Sequence, residues 1–175
     1  NRPISVLNLF AYTGGATLAA AAAGASVTHV DASKGMVNWA KENMMLSHLE
    51  NHKIRFIVDD VLKFVAREKR RGRTYHAIIM DPPSYGRGPN GEIWKIEEQL
   101  YPLISACMEI LDENPLFFLV NSYTTGLAPA VLTYMLATEL KPWKGSVESQ
   151  EIGLPVTESG LVLPCGASGR WSSSR

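Results

Sequence analysis

Neither sign of charge is in excess in this chain of 175 residues: 17 Lys and Arg stand against 17 Asp and Glu. A free-standing nucleic-acid binder carries a basic excess, so composition by itself does not point to one. Cysteine is scarce. Cys107 and Cys165 show no paired spacing and no secretory leader pattern accompanies them, which argues against an oxidising compartment and predicts a cytoplasmic location. No apolar run approaches the length a membrane span needs, so no membrane association is expected. His29, His48, His52 and His76 fall in no metal-ligand spacing, and no metal is expected. Internal repeats and linkers are lacking apart from Ser172-Ser173-Ser174. The length suits one domain around a single core.

The one dense basic run is Arg67-Glu68-Lys69-Arg70-Arg71-Gly72-Arg73. It reads as a solvated helix end, where cations complement the helix dipole, with a nucleic-acid patch as the alternative.

Chemistry enters with Asp81-Pro82-Pro83-Ser84-Tyr85, directly after the apolar run Ala77-Ile78-Ile79-Met80. A carboxylate at the C-terminal end of a buried strand sits where open α/β sheets bind their ligands. Prolines stiffen the turn and leave their carbonyls free to accept hydrogen bonds. Such a platform beside an aromatic ring suits a planar, amine-bearing group, although Pro-Pro can also simply end a strand. Upstream, Val6 to Phe10 leads through Ala11-Tyr12-Thr13 into Gly14-Gly15 and then into Ala19 to Ala23, the order strand, turn, helix. A second strand, Ala25 to Val30, ends in Asp31, placed to grip ribose hydroxyls. The glycines do not follow G-x-G-x-x-G, so the turn fits a nucleoside cofactor without a pyrophosphate.

These two segments resemble the class I S-adenosylmethionine-dependent methyltransferases. Leu9-Phe10-Ala11-Tyr12-Thr13-Gly14-Gly15 and Asp81-Pro82-Pro83-Ser84-Tyr85 are most similar to the ribosomal RNA large-subunit methyltransferases. The resemblance runs from about Pro3 to Cys165. It implies a doubly wound, mostly parallel seven-stranded Rossmann-like sheet ending in an antiparallel hairpin, S-adenosylmethionine as cofactor and RNA as partner. Asn8 stands where most class I members carry an acid. Relatives carry an N-terminal recognition part, so residues 1–165 are expected to be a catalytic fragment, followed by a tail over 166–175.

The elements expected are a helix over 33–47, a strand over 53–58 before Asp59-Asp60, and a third helix from Val61. A turn-rich loop follows Asp81, then a helix with Pro102 in its first turn. Leu116 to Val120 reads as a central strand, followed by a helix over 128–140 and a hairpin of 146–152 with 160–163. Residues 165–171 look too glycine-rich for regular structure.

For the cofactor, the resemblance implies contacts from Asn8, Phe10, Tyr12, Thr13 and Gly14 in the first turn, and from Asp31, Ala32 and Ser33 after the second strand. It adds Asp59, Asp60 and Val61 after the third, and Asp81. Asp31 and Asp60 have helix capping as the alternative role, and Tyr12 a place in the core. Asp81 and the Pro82 carbonyl are the candidates to hold an acceptor N–H, with Tyr85 either stacking on a displaced base or covering the loop. Methylation at pyrimidine carbon five needs a thiolate nucleophile. The place for it after the fifth strand reads Asn121-Ser122-Tyr123-Thr124-Thr125, so a nitrogen or oxygen acceptor is favoured. A protein or small-molecule acceptor, and a non-catalytic cofactor-binding module, are the other classes considered.

Overall fold

A computed structural model describes residues 2–174. Strand and helix alternate: β1 (Ser5–Leu9), α1 (Gly15–Ala22), β2 (Ser26–Asp31), α2 (Lys34–Leu46), β3 (Ile54–Val58), α3 (Val61–Arg70) and β4 (Ala77–Met80). After a small hairpin of β5 (Tyr85–Arg87) and β6 (Ile93–Lys95) come α4 (Ile96–Met108), β7 (Phe117–Ser122) and α5 (Pro129–Glu139). The long strands β8 (Gly145–Pro155) and β9 (Val162–Ser173) complete the chain.

One seven-stranded sheet has the order β3-β2-β1-β4-β7-β9-β8. Strands β1 to β4 and β7 are parallel, while β9 pairs antiparallel with both β7 and β8. The order reverses between β1 and β4, so right-handed crossovers put α1 and α2 on one face and the later helices on the other. Alternation along the strands agrees with this. Leu7, Leu9, Ile78, Met80, Phe118 and Val120 pack with α3, α4 and α5, whereas Val6, Val27, Ala77 and Ile79 pack with Ala21 of α1. Burial on both faces is why these strands read as continuous apolar runs.

The expected seven-stranded, mostly parallel sheet is present. Three local expectations are corrected. The tail expected over 166–175 is strand over most of its length: β9 continues to Ser173 and pairs along β7 from Phe117↔Ser172 to Ser122↔Ala167, while Arg175 lies outside the described residues. Its glycines fit close packing: a Cβ on Gly169 would lie 2.8 Å from Leu132 Cβ of α5, and one on Gly166 would lie 2.0 Å from the Ser122 carbonyl oxygen. Trp171 is buried in the core, which accounts for an aromatic residue there. The turn-rich loop after Asp81 contains the β5–β6 hairpin. Pro102 lies well inside α4, whose first turn carries Glu97 and Glu98, acids that favour a helix N-terminus.

The basic run ends α3 and is largely consumed by ion pairs. Arg67 pairs with Asp59, Lys69 with Glu109, and Arg71 and Arg73 with Glu68. Glu68 is fully buried, and burial pushes its carboxyl upward. Hydrogen bonds from Tyr75 Oη at 2.6 Å, Arg55 and Arg71 outweigh this and hold it below the ordinary range. The helix-end reading of the run fits; these cations brace α3 to its neighbours. No helix among the described residues is long and apolar enough to cross a membrane.

Candidate active site

The C-terminal ends of β1, β2, β3, β4 and β7 converge on a cavity of about 610 Å³, within the size range of small-molecule sites. A second groove, about 1010 Å³, lies against α1 but is walled mainly by aliphatic residues and carries no carboxylate. The chemistry therefore belongs to the first.

Its floor begins with a strained turn. Phe10 and Tyr12 both adopt positive φ, 53° and 48°, a conformation that costs a non-glycine residue about 1–3 kcal/mol. Local bonds hold it: Ala11 N–H donates to the Val30 carbonyl at 3.0 Å and Tyr12 N–H to Asp31 Oδ2 at 2.9 Å. Asp31 Oδ1 accepts from Ser33 N–H at 2.8 Å, so the carboxylate is fixed by backbone on both oxygens. Asp31 is not the α2 cap; that role falls to Ser33, whose Oγ accepts from Met36 N–H. Asp31 lines the cavity with Phe10, Tyr12, Ala32 and Ser33.

After β3, Asp60 and Val61 also line the cavity, and Asp60 caps α3 by accepting from Lys63 N–H at 3.0 Å. Asp60 thus caps α3 while lining the cavity. Asp59 does not reach the cavity wall: it is buried, accepts from Asp60 N–H and pairs with Arg67.

Asp81 follows β4 and lines the cavity, exposed at its mouth and without a hydrogen-bond partner among the described residues. Desolvation in the concavity pushes its carboxyl above the usual range. Pro82 is buried and outside the wall, while Pro83 lines it. The Pro83 carbonyl accepts from Trp94 Nε1–H at 2.7 Å, and the Ser84 carbonyl accepts from Ile96 N–H at 3.0 Å. Tyr85 is 53% exposed and outside the wall.

Three further expected contacts lie beneath the site. Asn8 is buried and its Nδ2 donates to Thr17 Oγ1 at 3.0 Å, which in turn bonds His29 Nδ1 at 2.9 Å. The Thr13 carbonyl accepts from Asn43 Nδ2 at 2.9 Å. Gly14 has φ 90°, and a Cβ there would lie 3.1 Å from Ala40 Cβ. Its glycine is explained by close approach to α2, with the cavity formed by the residues before it.

Sequence reasoning missed Gly86, Arg87, Gly88 and Trp94, which the β5–β6 hairpin folds over the cavity, and Tyr123 after β7. Trp94 meets the Phe10 ring edge-on, with centroids 4.7 Å apart at 62°. The available signal was the aromatic residue closing a turn-rich loop after Asp81. Neither cysteine reaches the wall; Cys107 is fully buried and its thiol is pushed far up by desolvation.

The donor set fits a nucleoside cofactor: a backbone-fixed carboxylate, apolar faces from Phe10, Ala32 and Val61, and a capping carboxylate beside Val61. Residues 2–101 match the family described as S-adenosylmethionine-dependent methyltransferase. The chain superimposes on the crystal structure of an S-adenosylmethionine-dependent methyltransferase from Agrobacterium tumefaciens with TM-score 0.93 and 41% identity, covering 99% of this chain and 57% of that one. It is 37% identical over 112 residues to ribosomal RNA large subunit methyltransferase K/L of Shewanella frigidimarina, covering 63% of this chain and 15% of the relative. The protein of the same name from Colwellia psychrerythraea is 34% identical over 120 residues, covering 67% and 16%. The chain thus spans only a fraction of the length of these relatives. With a match over more than half its residues and a site to suit, the chain belongs to the S-adenosylmethionine-dependent methyltransferase family.

Proposed function

We propose that this chain methylates a base in RNA, ribosomal RNA being the substrate class, at a nitrogen atom. The observation that carries this reading is Asp81: a carboxylate with no partner among the described residues, at a strand end, in a cavity that also holds the fixed Asp31. The names of the Shewanella and Colwellia relatives support RNA as the acceptor.

S-Adenosylmethionine supplies an activated methyl group together with its own leaving group, so the protein's task is chiefly alignment. Asp31 would hold the cofactor by accepting from its ribose hydroxyls, Phe10, Ala32 and Val61 would give the adenine an apolar setting, and Asp60 would accept from its amino group. Asp81 accepts an N–H of the acceptor amine, orienting the nitrogen lone pair and stabilising the positive charge that develops there. Accepting that N–H also places Asp81 to receive the proton the amine sheds. Absence of both cysteines from the wall favours nitrogen over pyrimidine carbon five.

The equal numbers of basic and acidic residues favour a second reading, a protein or small-molecule acceptor. Transfer of labelled methyl from S-adenosylmethionine into fractionated cell extract separates the two. Label in RNA is expected; label confined to protein or metabolites would establish the second reading.

A further inference from the structure

We propose that Arg87 and Tyr123 form the acceptor side of the cavity, Arg87 pairing with the phosphate of the acceptor nucleotide and Tyr123 stacking on its base. This rests on the RNA reading above and names residues that recognise the substrate.

The charge in the cavity wall is lopsided. Asp31, Asp60 and Asp81 supply three carboxylates, and Arg87 is the single cation among the residues that line it. Arg87 makes no ion pair with a described residue, unlike the basic residues at the end of α3, so its guanidinium is available. It is also well placed to stay where it is. Its strand β5 pairs with β6, whose Trp94 ties the hairpin to the Asp81 turn through the bond from Nε1 to the Pro83 carbonyl, 2.7 Å, and to Phe10 by the ring contact. At the far end of the hairpin, Lys63 of α3 pairs with Glu92, and Gly88 N–H donates to the Glu92 carbonyl at 2.8 Å. A guanidinium held on a braced hairpin, over a wall otherwise acidic, is suited to an anionic group on an incoming ligand.

Tyr123 complements it. Register β4 to β7 pairs Met80 with Val120, so the chain leaves the two adjacent strands at Asp81 and, three residues past Val120, at Tyr123, and both line the cavity. The ring lines the cavity yet is 58% exposed, with no aromatic partner among the described residues. Its loop is fixed to the Asp81 turn by the Ser84 Oγ–Thr124 Oγ1 bond at 2.7 Å, and to its own strand by Thr124 N–H donating to Ser122 Oγ at 3.1 Å. An open aromatic face beside an unpartnered carboxylate and a free guanidinium has the three contacts a nucleotide needs: stacking, N–H acceptance and phosphate pairing.

Two ligands bring an anion here, the acceptor through its phosphate and the cofactor through its carboxylate, and the experiment separates them. The full chain, saturated with S-adenosylhomocysteine, is titrated into a labelled single-stranded RNA over a range of salt. Arg87→Ala is expected to weaken RNA binding at least fivefold at low salt and to reduce the salt slope by about 0.7. Tyr123→Ala is expected to weaken it at least fivefold with the slope unchanged, Tyr123→Phe to restore it, and Tyr85→Ala to cost less than Tyr123→Ala. S-Adenosylhomocysteine affinity stays within twofold in all four. Loss of S-adenosylhomocysteine binding in Arg87→Ala, with binding of 5′-methylthioadenosine retained, would give Arg87 to the cofactor carboxylate and overturn the proposal. So would Tyr85→Ala exceeding Tyr123→Ala. Wild type that methylates RNA with an RNA KM unchanged in both variants would overturn this inference alone. Wild type that neither binds nor methylates RNA would remove the RNA reading and the inference together.

Discussion

Trp94 Nε1–H donates to the Pro83 carbonyl at 2.7 Å, joining the β5–β6 hairpin to the turn that carries Asp81. The hairpin therefore moves with the site. Trp94→Phe removes the donor and keeps most of the ring; leaving the part-buried carbonyl unpartnered costs about 1–3 kcal/mol. Urea unfolding is expected to show that loss, and methyl transfer a higher acceptor KM with cofactor affinity intact. An unchanged KM would detach the hairpin from acceptor binding.

Asp31 holds both Tyr12 N–H and Ser33 N–H. Asp31→Asn can offer only one oxygen and sets an amide N–H against a backbone donor. Together with the weakened ribose contact this is expected to lower S-adenosylmethionine affinity by about 1.5–3 kcal/mol, read by calorimetry. Equal affinity in a folded variant would remove Asp31 from the cofactor site.

How much of this was legible in the sequence depends on where each residue acts. Asp31 and Asp81 were readable because strand ends in an open α/β sheet are functional by topology, and the apolar runs before them are unmistakable. Adjacent Asp59 and Asp60 were not separable by position. Which one faces the cavity follows from the start of α3, where Asp60 caps and Asp59 turns to Arg67. Trp94 and Tyr123 were missed because a short hairpin and a strand-end loop carry them in, and neither leaves a periodic signal. Tyr85 attracted the stacking role by its nearness to the prolines, yet the structure sets it outside the wall. The glycines near 166–169 read as loop because strand propensity counts against them, whereas packing against α5 and the end of β7 favours them.

That packing leaves no room for a side chain at Gly169. Gly169→Ala would put a methyl 2.8 Å from Leu132 Cβ, and overpacking of this kind costs about 1–3 kcal/mol. Thermal unfolding is expected to show it, while an exposed tail over 166–175 would give no shift.

His29 is fully buried, and desolvation lowers its pKa from 6.5 to about 4. The unfolded chain therefore takes up a proton before the folded one does. Stability from this group is complete above pH 6.5 and is lost as pH falls towards about 4, by on the order of 3 kcal/mol. Urea unfolding of wild type and His29→Gln across that window tests it; identical pH slopes would show that His29 is not buried neutral.

The account turns on Asp81, and the most direct measurement is single-turnover methyl transfer to RNA by Asp81→Ala, with the S-adenosylmethionine dissociation constant taken on the same sample. Transfer abolished with cofactor affinity within a few fold is the predicted result. Transfer at the wild-type rate, or cofactor binding lost to the same degree as transfer, would contradict the assignment of Asp81 to the acceptor.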